Sequence, residues 1–229
     1  MNQALPTKES MARLLEFEES RGDGFFGEAS LSGFTDYSRE QPAADDLYQY
    51  NTALLKSCGE DVRIFSDALF KRPQLVTIGS HCAIEGYFVC TTQLEIGSYC
   101  HISYAVVVIG GANALLRMGH FSHLAPGARL VCSGDKHMGD GLVSPVVPEK
   151  YRDIADNRPI IIGNFATVGT GSVVMPGVTL GDGAVLGANS FANRDIPEWE
   201  IWAGSPAKFI KKRKKEIMLA NARALGYEL

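Results

Sequence analysis

The sequence predicts an all-β solenoid, a parallel β-helix built from six-residue repeats, and three observations predict it. From Ile162 to Ala192 the chain reads IGNFATVGTGSVVMPGVTLGDGAVLGANSFA, with small apolar residues every six positions at Ile162, Val168, Val174, Leu180, Leu186 and Ala192. Glycine follows four of these, at Gly163, Gly169, Gly181 and Gly187. The same ladder runs earlier in the chain, through Ile78, Ile84, Cys90, Ile96, Ile102 and Val108. A helix repeats at about 3.6 residues and a strand at 2, so a strict six fits neither. It fits a coil with three short flat faces, each turning one apolar residue inward, and three polar or glycine corners. Such coils hold about 18 residues and stack at the strand spacing of about 4.8 Å.

The elements follow in order. Residues 1–57 read as a helical and loop extension. An amphipathic helix is expected over 1–20, with Met11, Leu14 and Leu15 on its apolar stripe, a Gly/Ser/Asp/Pro-rich loop over 21–45, and a second helix over 46–57. This extension caps the open end of the solenoid, which would otherwise expose unpaired backbone. Residues 58–205 form the β-helix. Ten residues instead of six separate Val108 from Met118, so GGANALLR accommodates four extra residues as a bulge or small loop. The ladder continues through Leu124 and Leu130, then stops until Ile162. The insertion over 132–158, rich in proline and charge, is where chemistry is sought, because insertions in repeat folds mark the binding side. Residues 206–229 read as a C-terminal helix over 207–225, with Ile210, Ile217, Met218, Ala222 and Leu225 apolar and Gly226 at its end.

Composition narrows the class. No apolar run approaches 18 residues, so no membrane span is expected. The N-terminus lacks a basic start followed by an apolar core, and five cysteines without a CxxC pair read as reduced packing thiols. A cytoplasmic protein is the expectation. The net charge of −4 argues against nucleic acid as a partner. Charge is uneven, however: residues 1–50 carry ten acidic and four basic side chains, whereas the tail from Pro206 carries seven basic and two acidic. The Lys211–Lys215 run reads either as a solvated face or as a site for a ligand's phosphates.

The ladder, followed by NRDIP and AGSPAK, resembles the hexapeptide-repeat acyltransferases, which include galactoside, maltose and xenobiotic O-acetyltransferases and enzymes that acetylate polysaccharide sugars. The resemblance implies a left-handed β-helix, a homotrimer with active sites between subunits, and acetyl-coenzyme A as acyl donor to a sugar or nucleotide-sugar. Transfer to a hydroxyl needs a base for the departing proton, and histidine suits that role at neutral pH. His137 stands in SGDKHMGD where the ladder breaks, the point at which the family carries its catalytic histidine, and is expected to be the general base. The family's commoner form has threonine before a His-Pro pair; here the pair is His137–Met138. Asp135 and Asp140 are candidates to orient that ring or hold a sugar hydroxyl. His101 and His123 occupy equivalent places on successive coils and are candidates for substrate contact. The resemblance assigns the coenzyme's pantetheine arm to the Gly169–Thr170 and Gly187–Ala188 corners. It assigns the phosphates to Asn193, Arg194, Lys208 and Lys211.

Three alternatives stand beside this reading. An amino-sugar acceptor would make the reaction N-acetylation. A zinc site built from His101, His120 and His123 would resemble the carbonic anhydrases that share the solenoid. A non-catalytic binding module would keep the fold without the chemistry. The acyltransferase reading expects no metal.

Overall fold

The computed structural model describes residues 48–153 and 157–229. The helix expected over 1–20 and the loop over 21–45 lie outside them. Among the described residues of the expected helix over 46–57, only a 3₁₀ turn at Thr52–Leu54 is helical; the Asn51 side chain caps it by accepting from the Ala53 amide at 3.2 Å. The first solenoid strand follows at Ser57–Cys58.

From there the chain winds into a left-handed parallel β-solenoid with three faces. Face one stacks Ser57–Cys58, Val76–Ile78, Gln93–Ile96, Leu115–Met118, Ile160–Ile162 and Thr179–Leu180. Face two stacks Arg63–Ile64, Ala83–Ile84, His101–Ile102, His123–Leu124, Thr167–Val168 and Val185–Leu186, and ends with Glu200–Ala203 and Lys208–Lys212. Face three stacks Leu69–Phe70, Val89–Cys90, Val107–Ile109, Arg129–Val131, Val173–Val174 and Phe191–Ala192. Each ladder residue pairs with its counterpart one coil on, as Ile84 with Ile102 and Leu124 with Val168. These residues form the core: Ile102, Val108, Leu124, Leu130, Ile162 and Leu186 are all fully buried. Burying a side chain of this size stabilises by roughly 1.5–3 kcal/mol.

The corner between faces one and two is tied by a ladder of side chains. In each coil the residue after the ladder glycine accepts a backbone N–H from the coil before. The Glu60 amide donates to Ser80 Oγ at 3.1 Å, Ser80 to Ser98 Oγ at 3.1 Å, and Ser98 to His120 Nδ1 at 2.9 Å. His120 in turn donates to Asn164 Oδ1 at 2.8 Å, and Asn164 to Asp182 Oδ1 at 2.7 Å. The next residue of each corner sits at positive φ and stacks: His81, Tyr99, Phe121, Phe165 and Trp199 all have φ of 56–60°. Neighbouring rings lie 4.6–5.8 Å apart, and Phe121 and Phe165 are parallel to within 5°. Gly183 fills this column where the Trp199 ring leaves no room for a Cβ.

The C-terminal helix is real but shorter than expected, spanning Glu216–Ala224. Lys208–Lys212, expected to be helical, instead runs antiparallel to Glu200–Ala203. In a helix Lys208 would face Lys211 and Lys212, and Lys211 would face Lys214 and Lys215, at the repulsive i,i+3 and i,i+4 spacings. As extended chain they diverge, and Arg213 turns inward to donate to the Phe165 and Gly183 carbonyls at 2.8 and 3.1 Å. The helix buries Ala222, with Met218 and Leu219, against Phe165 and Trp199; Ile210, Ile217 and Leu225 are exposed. Phe165→Ala should cost about 3–5 kcal/mol in urea unfolding, as for other buried aromatic truncations. A loss below about 1 kcal/mol would mean the column packs without stabilising.

Candidate functional site

The insertion leaves face three after Val131 and rejoins face one at Ile160. It is organised by two aspartates. Asp153, 4% exposed, accepts the Met138 amide on Oδ2 at 3.0 Å, while its carbonyl accepts the Lys136 amide at 3.2 Å. The Asp153 amide donates to the Leu142 carbonyl at 3.0 Å, beside a bridge between Leu142 and Arg152. The amides on both sides of His137 are thus tied to one buried residue. His137 itself adopts φ 58° and stands exposed, its ring bonded to nothing among the described residues. Asp135 does not orient it: its carboxylate accepts the Ser144 amide at 3.0 Å and Arg152 Nη2 at 3.1 Å, and so shapes the loop. Asp140 is exposed, and no described side chain bonds to it. Cys132, at the root of the loop, is fully buried, which pushes its thiol up to about 12 and leaves no reactive thiolate at neutral pH.

His101 and His123 do come together, on face two. Their rings stack at 4.9 Å and within 5° of parallel. His101 Nε2 lies 2.9 Å from Glu85 Oε1, and Ser103 Oγ donates to Glu85 Oε2 at 2.8 Å. Burial works to raise the Glu85 pKa, but the Ser103 and His101 hydrogen bonds outweigh it and leave it lowered. His123 Nε2 is buried with no partner among the described residues, and burial, then the neighbouring His101, lowers its pKa. His120 belongs elsewhere: its Nδ1 is an acceptor in the corner ladder. Among the described residues no three His, Cys, Asp or Glu side chains converge to hold a metal, so the imagined set of His101, His120 and His123 does not assemble.

The remaining candidates lie in the last coils. Gly169 and Gly187 are glycines for stacking: a Cβ on Gly169 would stand 2.6 Å from the Ala188 nitrogen, and one on Gly187 2.9 Å from the Ala203 Cβ. The following residues, Thr170 and Ala188, are exposed, and their amides donate to nothing among the described residues. Arg194 and Lys208 share a hollow of about 310 Å³ with Trp202, Pro206, Ala207 and Phe209. Asn193 and Lys211 are exposed outside that lining. A larger groove of about 670 Å³ on face one, beside the Glu95–Arg117 ion pair and Leu229, is lined by His120 but by none of the residues expected to serve acyl transfer.

The bacterial transferase hexapeptide model (six repeats) matches residues 159–193. A Saccharomyces cerevisiae chain named as an acetyltransferase is 30% identical over 180 residues, 77% of this chain and 84% of its own length. The chain belongs to the hexapeptide-repeat acyltransferase family. Within that family, the dTDP-4-amino-4,6-dideoxy-D-glucose acyltransferase of Escherichia coli is 29% identical over 176 residues, 76% of this chain and 90% of that protein. A variant of AntD, an N-acyltransferase from Bacillus cereus solved in complex with dTDP-4-amino-4,6-dideoxyglucose and Coenzyme A, superposes with a TM-score of 0.72 at 26% identity. That match covers 76% of this chain and 92% of that one.

Sequence reasoning missed Asp153 and Glu85. Asp153 carries no periodic signal, whereas Glu85 stands in the same column as Ser103 and two residues beyond Ala83, the partner of His101.

Two outcomes follow from this geometry. Asp153→Ala should leave solenoid melting within about 3 °C of wild type, while tryptic cleavage after Lys136 and Arg152 rises about tenfold as the loop loses its anchor. An unchanged cleavage rate would remove Asp153 as that anchor. Because burial lowers the His123 pKa, the unfolded chain takes up this proton first, so its contribution to stability is intact above the ordinary value of 6.5 and is lost as pH falls below it. His123→Gln should therefore flatten the fall in melting temperature between about pH 7.5 and 5.5.

Proposed function

We propose that the chain is a cytoplasmic acyltransferase that moves an acetyl group from acetyl-coenzyme A to the amine of a nucleotide-linked amino sugar. The observation that carries the donor half is the pair of unbonded amides at Thr170 and Ala188, stacked one coil apart at about 4.8 Å. Exposed donors without a partner suit the amide groups of a pantetheine arm. In the same last coils Arg194 and Lys208 offer cations for its phosphates, each a charge-assisted contact about twice as strong as a neutral one. Lys211 and Asn193 stand further out.

The acceptor half takes its support from the amino-sugar acyltransferases among the relatives, where the sequence alone favoured a hydroxyl. His137 is the general base in this reading. Held outward by the Asp153 clamp, its imidazole takes a proton from the attacking nitrogen and returns one to the coenzyme's sulfur as the C–S bond breaks. An exposed backbone amide such as that of Thr170 would receive the oxyanion. No covalent enzyme intermediate is needed, consistent with the buried, unreactive Cys132.

The active unit in this proposal is a homotrimer. Its support is the outward column of face three, where Leu69, Val89, Val107, Val173 and Phe191 are apolar and only Arg129 interrupts them. Leu69 and Ile109 are 56% and 43% exposed in the single chain.

The test is turnover of acetyl-coenzyme A with dTDP-4-amino-4,6-dideoxyglucose. His137→Ala should lower kcat by about 10²-fold or more with coenzyme A affinity unchanged. Retained activity would move the base elsewhere, and failure to bind coenzyme A would end the reading. Sedimentation should give three times the chain mass of 24.8 kDa.

A further inference from the structure

An amine and a hydroxyl present an enzyme with different proton problems. At neutral pH an alkyl amine arrives as R–NH3⁺. On the way to the amide it loses two protons while the N–C bond forms and the thioester C–S bond breaks. One proton leaves on the coenzyme's sulfur as the thiol; the other needs a separate acceptor. A hydroxyl has only one proton to lose. The reaction proposed above therefore asks for a cation site and a second proton acceptor, beyond the single base at His137.

Face two carries such a pair. Glu85 places its carboxylate against His101 Nε2 at 2.9 Å and takes Ser103 Oγ on its other oxygen at 2.8 Å. With Glu85 ionised, Nε2 carries the hydrogen, which leaves His101 Nδ1 as a lone-pair acceptor with no partner among the described residues. The His101 side chain is 43% exposed, so a ligand can reach it. Beneath it His123 stacks in parallel, and its Nε2 is buried and unpartnered. Kept neutral by burial, His123 puts no second positive charge under the ring. Alongside, Tyr87 and Tyr104 expose aromatic surface (68% and 40%) of the kind on which the apolar side of a sugar ring lies.

We propose that Glu85 and His101 form the acceptor-amine site: the carboxylate draws in the ammonium, and His101 Nδ1 takes the proton that must leave before attack. His101 is a catalytic residue in this scheme and Glu85 a positioning residue that fixes its tautomer and pairs with the resulting imidazolium. The proton then passes to solvent. The proposal rests on the amino-sugar reading above and deepens it, because a hydroxyl acceptor would have no use for this second acceptor. The titratable groups facing the pair are His123, Tyr104 and Tyr48, with Arg63 beyond Tyr48.

The experiment is the pH profile of kcat/KM with acetyl-coenzyme A and dTDP-4-amino-4,6-dideoxyglucose for wild type, His101→Gln and Glu85→Gln. At about pH 6.5 His101→Gln should lose about 10²-fold, and the deficit should shrink to within about fivefold near pH 9, where the acceptor supplies its own free amine. Glu85→Gln should follow the same pattern with a smaller loss, and it carries the comparison if His101→Gln does not fold. A loss that is equal at all pH values would make the pair structural and overturn the proposal, as would no loss at all. Wild type that binds coenzyme A but never acylates the amine would overturn this proposal together with the amino-sugar reading. Wild type that acylates it beside unaffected variants would overturn this proposal alone.

Discussion

Stacking coil upon coil at the β spacing forces every corner to find partners for its backbone without lengthening the turn. The faces solve this with strand pairing, but a corner amide points along the stack towards a neighbour that has already turned. At the first corner the chain answers with side chains, Ser80, Ser98, His120, Asn164 and Asp182, each reaching one coil back to an otherwise unpaired N–H. These bonds are exposed or part-buried, so each contributes about 0.5–1.5 kcal/mol, and the column adds to the coil-to-coil registry that the apolar ladder sets.

That solution is not repeated everywhere, and the difference is informative. At the second corner Thr170 and Ala188 are exposed and their amides are left open, because no polar side chain rises to meet them. Pro126 stands in the same column one coil earlier and has no amide to satisfy. Ser172 and Ser190 do tie this corner, taking the Ser190 and Gly204 amides at 3.1 and 2.9 Å, but the two amides at Thr170 and Ala188 lie outside that ladder and stay free as donors. The insertion follows a related logic: one buried aspartate, Asp153, takes the Met138 amide on its carboxylate and the Lys136 amide on its main-chain carbonyl, so the exposed imidazole between them is presented by an anchored backbone although it sits on a loop.

Periodicity made much of this legible. The sixfold ladder identified the inward residues of all three faces and marked where the coil breaks at 109–117 and 132–158. It also placed His101 and His123 one above the other. The corner ladder and the aromatic column carry the same phase, one and two residues after each glycine, and a reading that looked beyond the apolar positions would have met them. Asp153 is different: its partners lie fifteen and seventeen residues away in a stretch with no repeat, so nothing local announces it. The segment Lys208–Lys212 was misread because Ile210 and Ile217 fit a helical spacing, while repulsion along the cationic run and the pull of the open strand edge decided for extended chain.

The antiparallel return of Lys208–Lys212 has a consequence for assembly. A parallel solenoid is in principle unending, since its last coil offers the same edge that every earlier coil offered to its successor. Here face two closes with a strand running the wrong way and studded with lysines, which another copy cannot extend in register and is repelled from approaching. Growth end to end is blocked on that face, and neighbours are left to meet side by side, against the flanks of the prism where the apolar column of face three is displayed.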